Sequence, residues 1–150
     1  MFNEKIMPVV DETMFETMLV GCTIYMIARD NTNEFKLHIA QVINNRIKTG
    51  YFSDGTVLGT IFYPYQFVCW STSEDRMEML QQFNQGFMDE NKIVFDSVNA
   101  WHKAKSEKQQ SEIIAFANVV DSKNLKEQNL VVSFEKENYV FYEKIKGGSK

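Results

Sequence analysis

Between Asp11 and Arg29, apolar side chains recur at Met14, Met18, Cys22 and Tyr25 and again at Phe15, Leu19 and Met26, while Val20, Ile24 and Ile27 fill the opposite side. A helix that is apolar nearly all round is packed on several sides, so the pattern predicts a central helix. Asn31-Thr32-Asn33 interrupts it and supplies short polar side chains able to cap the next helix. That helix is predicted from about Glu34 to Lys48. Its apolar stripe is Phe35, Ile39, Val42, Ile43 and Arg46/Ile47, and Gly50 sits at the left-handed C-terminal position.

From Tyr51 to Trp70 the chain is rich in Gly and aromatics, with one short helix expected at Val57 to Phe62 and ended by Pro64. Thr72 or Ser73 caps a further helix through Met77, Leu80 and Phe83 to about Phe87, and Val94, Val98 and Trp101 mark another. Residues 102 to 112 read as polar linker. Ile113 to Val120 admits a strand or a short helix, with its β-branched end favouring strand. Asn129 to Glu135 and Tyr139 to Ile145 alternate around Lys136-Glu137-Asn138, the pattern of a β-hairpin. Residues 1–10 and 146–150 read as loose termini. The layout is α+β, with helices first and a small antiparallel sheet last.

At 150 residues the chain fits one domain, able to bury roughly two thirds of its unfolded surface without disulfide or metal staples. The 12 Phe and 6 Tyr imply a thick aromatic core or an aromatic-lined groove. A net charge of -4 with no Lys/Arg stripe argues against nucleic acid as a partner. Cys22 and Cys69 lie in separate apolar segments without paired His spacing, so buried free thiols are expected rather than a metal site, with a disulfide between them the lesser alternative, and no cofactor is indicated. Neither a secretory signal nor a run of roughly 18 apolar residues is present, so the chain reads as made in the cytoplasm, without a membrane span. His38 and His102 read as solvent-facing helical positions.

Four blocks carry a resemblance to the SleB-type cell wall hydrolases, clear over about residues 19 to 70 and weaker at the C-terminal hairpin. Thr23-Ile24-Tyr25 with Ala28-Arg29 resembles the helix that bears the family's catalytic glutamate. Ile39-Ala40-Gln41-Val42-Ile43-Asn44-Asn45-Arg46 resembles the family's Asn-Arg helix. Tyr65-Gln66-Phe67-Val68-Cys69-Trp70 is similar to its Gln-Phe-Ser-Cys-Trp, and Tyr139-Val140-Phe141-Tyr142 to its closing strand of His-x-Phe-Tyr type.

The resemblance implies a lysozyme-like α+β domain: a central buried helix, several packed helices, a small C-terminal hairpin and a cleft for the glycan strands of peptidoglycan. It implies hydrolysis or lytic transglycosylation of those strands. Ile27, however, stands where the family has its acid Glu, Tyr139 where it has a terminal His, and Asp30-Asn31 where Gly-Glu usually follows Ala-Arg.

Glycoside cleavage needs an acid to protonate the leaving oxygen, usually with a second carboxylate, and isoleucine can serve as neither. Asp30, one turn further and about 4.5 Å along the axis, is the candidate replacement, although an exposed turn residue is its simpler reading. Gln66, Phe67 and Trp70 are candidates to line the glycan cleft, aromatic faces packing on sugar rings and an amide orienting hydroxyls. Tyr25 and Arg29 are candidates to orient substrate, or to tie the central helix to the loop. Asn44 is expected to hold the 51–70 loop by hydrogen bonds.

Two functions follow. One is a catalytically impaired peptidoglycan hydrolase, phage-encoded. The other is a non-enzymatic lysozyme-like protein with a structural, inhibitory or glycan-binding role, for example in a virion. The partners are then glycan strands or another protein, reached by release at lysis or by packaging in the particle.

Overall fold

A computed structural model describes residues 12–64, 66–67, 73–89, 91–107, 111–122 and 129–145. Within them the chain is α+β, with six helices and a three-stranded antiparallel sheet. Helix α1 is Glu12–Ala28, α2 Asn33–Thr49, α3 Val57–Ile61, α4 Ser73–Met88 and α5 Lys92–Ser106. Strand β1, Ala115–Asn118, leads directly into α6, Val119–Ser122, and the hairpin follows as β2, Leu130–Lys136, and β3, Tyr139–Lys144. The segment from Ile113 to Val120 thus holds both the strand and the start of the short helix that its sequence allowed. The expected loose termini, and the cap at Thr72, lie outside the described residues.

Helix α1 is the centre of the molecule, packed against α2, α3, α4 and α5. Leu19, Val20, Cys22, Ile24, Tyr25 and Ala28 are all buried, on every side of the helix. Its polar members are accommodated locally, Thr23 donating its hydroxyl to the Leu19 carbonyl at 2.9 Å. Cys22 is buried, its thiol directed to the Met79 carbonyl at 4.0 Å. At Gly21 the helix meets α5 so closely that a Cβ there would stand 2.8 Å from Val98 Cγ2.

Helix α2 begins at Thr32, whose hydroxyl accepts the Phe35 N–H at 3.2 Å, and ends at Gly50 in the left-handed region at φ 80°. Its buried stripe of Phe35, Ile39, Val42, Ile43 and Arg46 faces both α5 and the sheet. Helix α5 runs to Ser106 rather than yielding to a linker after Trp101, because Ala104 continues its buried face.

The sheet order is β1-β3-β2, with Ala115 opposite Tyr142 and Lys136 opposite Tyr139. Glu137 and Asn138 form a two-residue turn at φ 51° and 71°, the left-handed pair that matches hairpin twist. A bulge at Ser133, between Val132 and Phe134, resets which side chains face inward. Phe141, at the centre, is fully buried and stacks on Phe134 at 4.9 Å, with Phe35 of α2 edge-on at 5.7 Å. Burial of such a ring contributes roughly 1.5–3 kcal/mol. His38 belongs to this layer and is not the solvent-facing residue expected: its ring lies 4.7 Å from Phe134 and 5.5 Å from Phe141. The hairpin, distant in sequence, covers it. His102 is exposed, as expected.

Candidate functional site

The residues singled out by sequence fall into two groups. The first sits at the C-terminal end of α1. Ile27 is half-buried and packs against the hydrophobic core. Tyr25 is buried, meeting Phe83 of α4 edge-on at 6.0 Å, and the Arg29 guanidinium lies 4.8 Å above its ring. Arg29 also donates to Gln82 Oε1 at 3.2 Å, which joins α1 to α4. Tyr25 and Arg29 therefore act on each other and on α4. Asp30 lies exposed in the turn beyond α1, where its charge acts on the buried Lys36.

Lys36 donates to the Asn31 carbonyl at 2.6 Å. Burial pushes its ammonium below the usual lysine value, against the pull of Asp96, Glu137 and Asp30. A hollow of about 350 Å³ between the start of α2 and α5 is lined by Glu34, Asp96, Asn99 and Lys103 together with the apolar Leu37 and Ala100. A larger groove of about 490 Å³, between α1 and α4, is lined by Phe15, Met18, Phe62, Met77 and Leu80. Its lining is mainly apolar and, among the described residues, carries no carboxylate.

The second group surrounds Arg46, a residue that the apolar spacing of α2 placed on its buried stripe. Arg46 is 4% exposed. Its Nε donates to the Ile114 carbonyl at 2.7 Å and its Nη1 to Gln66 Oε1 at 3.2 Å. The rings of Phe67, Tyr51 and Phe52 lie 5.5, 5.7 and 6.0 Å from the guanidinium carbon. Burial pushes its pKa down to about 10, the nearby Tyr51 pulling the other way. Among the described residues no carboxylate pairs with it. The cation is satisfied by a carbonyl, an amide and aromatic faces.

Arg46 and Asn45 do what was expected of Asn44. Asn45 Nδ2 donates to the Ile113 carbonyl at 2.9 Å, while Arg46 holds Gln66, so α2 secures both the loop and the approach to β1. Phe67 is buried, and Trp70 lies outside the described residues. Tyr139 packs on Phe35 at 5.1 Å and so belongs to the core layer.

Sequence reading passed over Phe52 and Tyr63. Phe52 adopts φ 46°, a left-handed conformation that a bulky side chain rarely takes. Its ring meets Tyr63 at 5.4 Å and Tyr51 at 4.6 Å, both near edge-on. The density of aromatics between Tyr51 and Tyr63 was the only signal available. Among the described residues, no hydrogen bond or ring contact joins the Arg46 group to the Tyr25–Asp30 group, and no cluster of three or more His, Cys, Asp or Glu is placed to hold a metal. No described helix is long and apolar enough to cross a membrane.

No protein-family model, curated protein or solved structure matches this chain.

Proposed function

We propose that the chain is a lysozyme-like domain of SleB type that binds the glycan strands of peptidoglycan without cleaving them. The observation that carries this reading is the packing of Ile27 against the core at the place where the family's acid would stand. An apolar side chain there supplies no proton. Asp30 supports no substitution, since it is exposed in a turn and solvated. Gln66 supports continued binding, because its amide is held in one orientation by Arg46. As a cell-wall-binding component of a phage particle, such a domain needs affinity for glycan and no turnover.

The test uses the purified protein and purified sacculi. It is expected to sediment with sacculi and to release no soluble muropeptides over the incubation. Muropeptide release by the unaltered protein refutes the loss of catalysis. Recovery of the protein wholly in the supernatant refutes glycan binding and points to a protein partner.

A further inference from the structure

Resting on the glycan-binding reading, we infer that Phe52 and Tyr63 form the stacking wall of a sugar subsite whose hydrogen-bonding edge is the amide nitrogen of Gln66. The three residues are joined through one short stretch of chain. The Phe52 and Tyr63 rings are 5.4 Å apart at 66°, and the Gln66 N–H donates to the Tyr63 carbonyl at 3.2 Å. Tyr63 is 38% exposed, so part of the residue is open to solvent.

The amide orientation is dictated by chemistry. A guanidinium has only donors, so the Gln66 oxygen must face Arg46 Nη1, and Nε2 is turned away with two N–H groups to give. Among the described residues Nε2 has no partner. Arg46 is thus a positioning residue, buried beneath the wall. Arg46 is itself buried, with Nε directed to Ile114 and Nη1 to Gln66, so what it offers outward is the neutral amide rather than its own charge. Asp54, the nearest acid in sequence, is turned to Thr56, whose N–H and hydroxyl it accepts at 2.9 and 2.6 Å.

Aromatic rings linked to a fixed neutral donor, Phe52 through Arg46 and Tyr63 through the Gln66 backbone, match one ligand chemistry well. A hexopyranose unit has an apolar C–H face to lay on the rings and hydroxyl or amide oxygens at its edge to accept from Nε2. The φ of 46° at Phe52 fits this use. Glycine would hold the same turn without strain, so the side chain is retained there at a conformational cost.

The test compares sedimentation with sacculi, and titration with soluble chitotetraose, for the unaltered protein and for Tyr63→Ala, Tyr63→Phe and Phe52→Gly, with circular dichroism as the fold check. Tyr63→Ala and Phe52→Gly are each expected to weaken binding about tenfold, the effect of losing one stacked ring, while Tyr63→Phe stays within about threefold. Unaltered protein that binds sacculi, with Tyr63→Ala and Phe52→Gly binding equally well, overturns this subsite and leaves the glycan-binding reading standing. Unaltered protein that fails to bind either probe overturns both. If Phe52→Gly does not fold, Tyr63→Ala decides the matter, because its side chain is partly exposed and its removal leaves no buried cavity of similar size.

Discussion

Glu137, at the tip of the β2–β3 hairpin, accepts the backbone N–H of Thr32 at 3.0 Å across 105 positions of sequence. The Thr32 hydroxyl and, at 3.1 Å, the Asn31 amide also donate to this carboxylate. Beside it, Lys136 pairs with Glu34 at 2.7 Å. The hairpin is thereby latched to the corner between α1 and α2, where Asp30 lies. Burial pushes the Glu137 carboxyl up, but the hydrogen bonds from Thr32 and Asn31 and the charge of Lys136 together hold it below its ordinary 4.5.

A carboxyl whose folded pKa is depressed adds stability that is complete above its unfolded pKa and is lost as pH falls through the folded value. The latch is therefore expected to be intact at neutral pH, to weaken as pH falls below about 4.5 and to be lost once pH has passed the lower folded value. Glu137→Gln should lower stability by about 1 kcal/mol near neutrality, solvent screening reducing a charge-assisted hydrogen bond to that size. In urea melts, the gap between the two proteins should close as the buffer is acidified. A gap independent of pH would show that the carboxylate charge contributes nothing.

Arg46 poses the opposite case. Its folded pKa of about 10 lies below the usual arginine value, so burial alone disfavours the charged form, an unfavourable contribution relieved only as pH rises above about 10. The bonds to Ile114 and Gln66 offset that cost. Lysine keeps the charge but cannot form the same planar pair of bonds, so Arg46→Lys should cost about 1–3 kcal/mol through an unsatisfied carbonyl and a released loop. A fall in urea midpoint at unchanged slope is the expected signature. An unchanged midpoint would remove Arg46 from its place as the link between α2, the loop and β1.

What could be read from the chain follows the range of each interaction. The all-round apolar character of α1 and the left-handed Gly50 are local signals and lie where their residues placed them, whereas the turn expected over Lys136-Glu137-Asn138 narrows to Glu137-Asn138 because Lys136 still pairs with Tyr139. Arg46 could be assigned to the buried stripe of α2 but not given partners, because the Ile114 carbonyl lies 68 positions away. His38 looked solvent-facing because the rings that cover it, Phe134 and Phe141, arrive with the hairpin. The candidate residues behave likewise. The motif named Tyr25, Arg29, Gln66 and Phe67, but whether each faces a ligand or the core is set by Phe83, Gln82 and Arg46, which no local pattern ties to them.

The contact of α1 with α5 at Gly21 sets a steric limit. Alanine normally stabilises a helix interior by about 0.5–1 kcal/mol over glycine. Here its Cβ would lie 2.8 Å from Val98 Cγ2, and Val98 is β-branched and cannot swing aside freely. Overpacking of this kind costs about 1–3 kcal/mol, so Gly21→Ala should be destabilising on balance. Thermal melts should show the loss, and adding Val98→Ala should return part of it. A more stable Gly21→Ala protein would mean that the two helices separate without penalty.

Placing a carboxyl at position 27 joins the energetics of α1 to the proposed chemistry. Ile27 packs against the core, so Ile27→Glu replaces apolar contact with a partly desolvated acid and should cost about 1–3 kcal/mol near neutral pH. Desolvation raises the folded pKa of the new carboxyl, so that cost is present above the folded value and shrinks as pH falls toward about 4. The same raised pKa leaves a fraction of the group protonated near neutrality, as a general acid requires. If the cleft still seats glycan strands, the variant should release muropeptides from sacculi about 10²–10⁴-fold faster than the unaltered protein. A variant that folds, binds sacculi and still releases nothing would show that loss of the acid was not the sole obstacle. Equal release by the two proteins would place catalysis elsewhere in the chain.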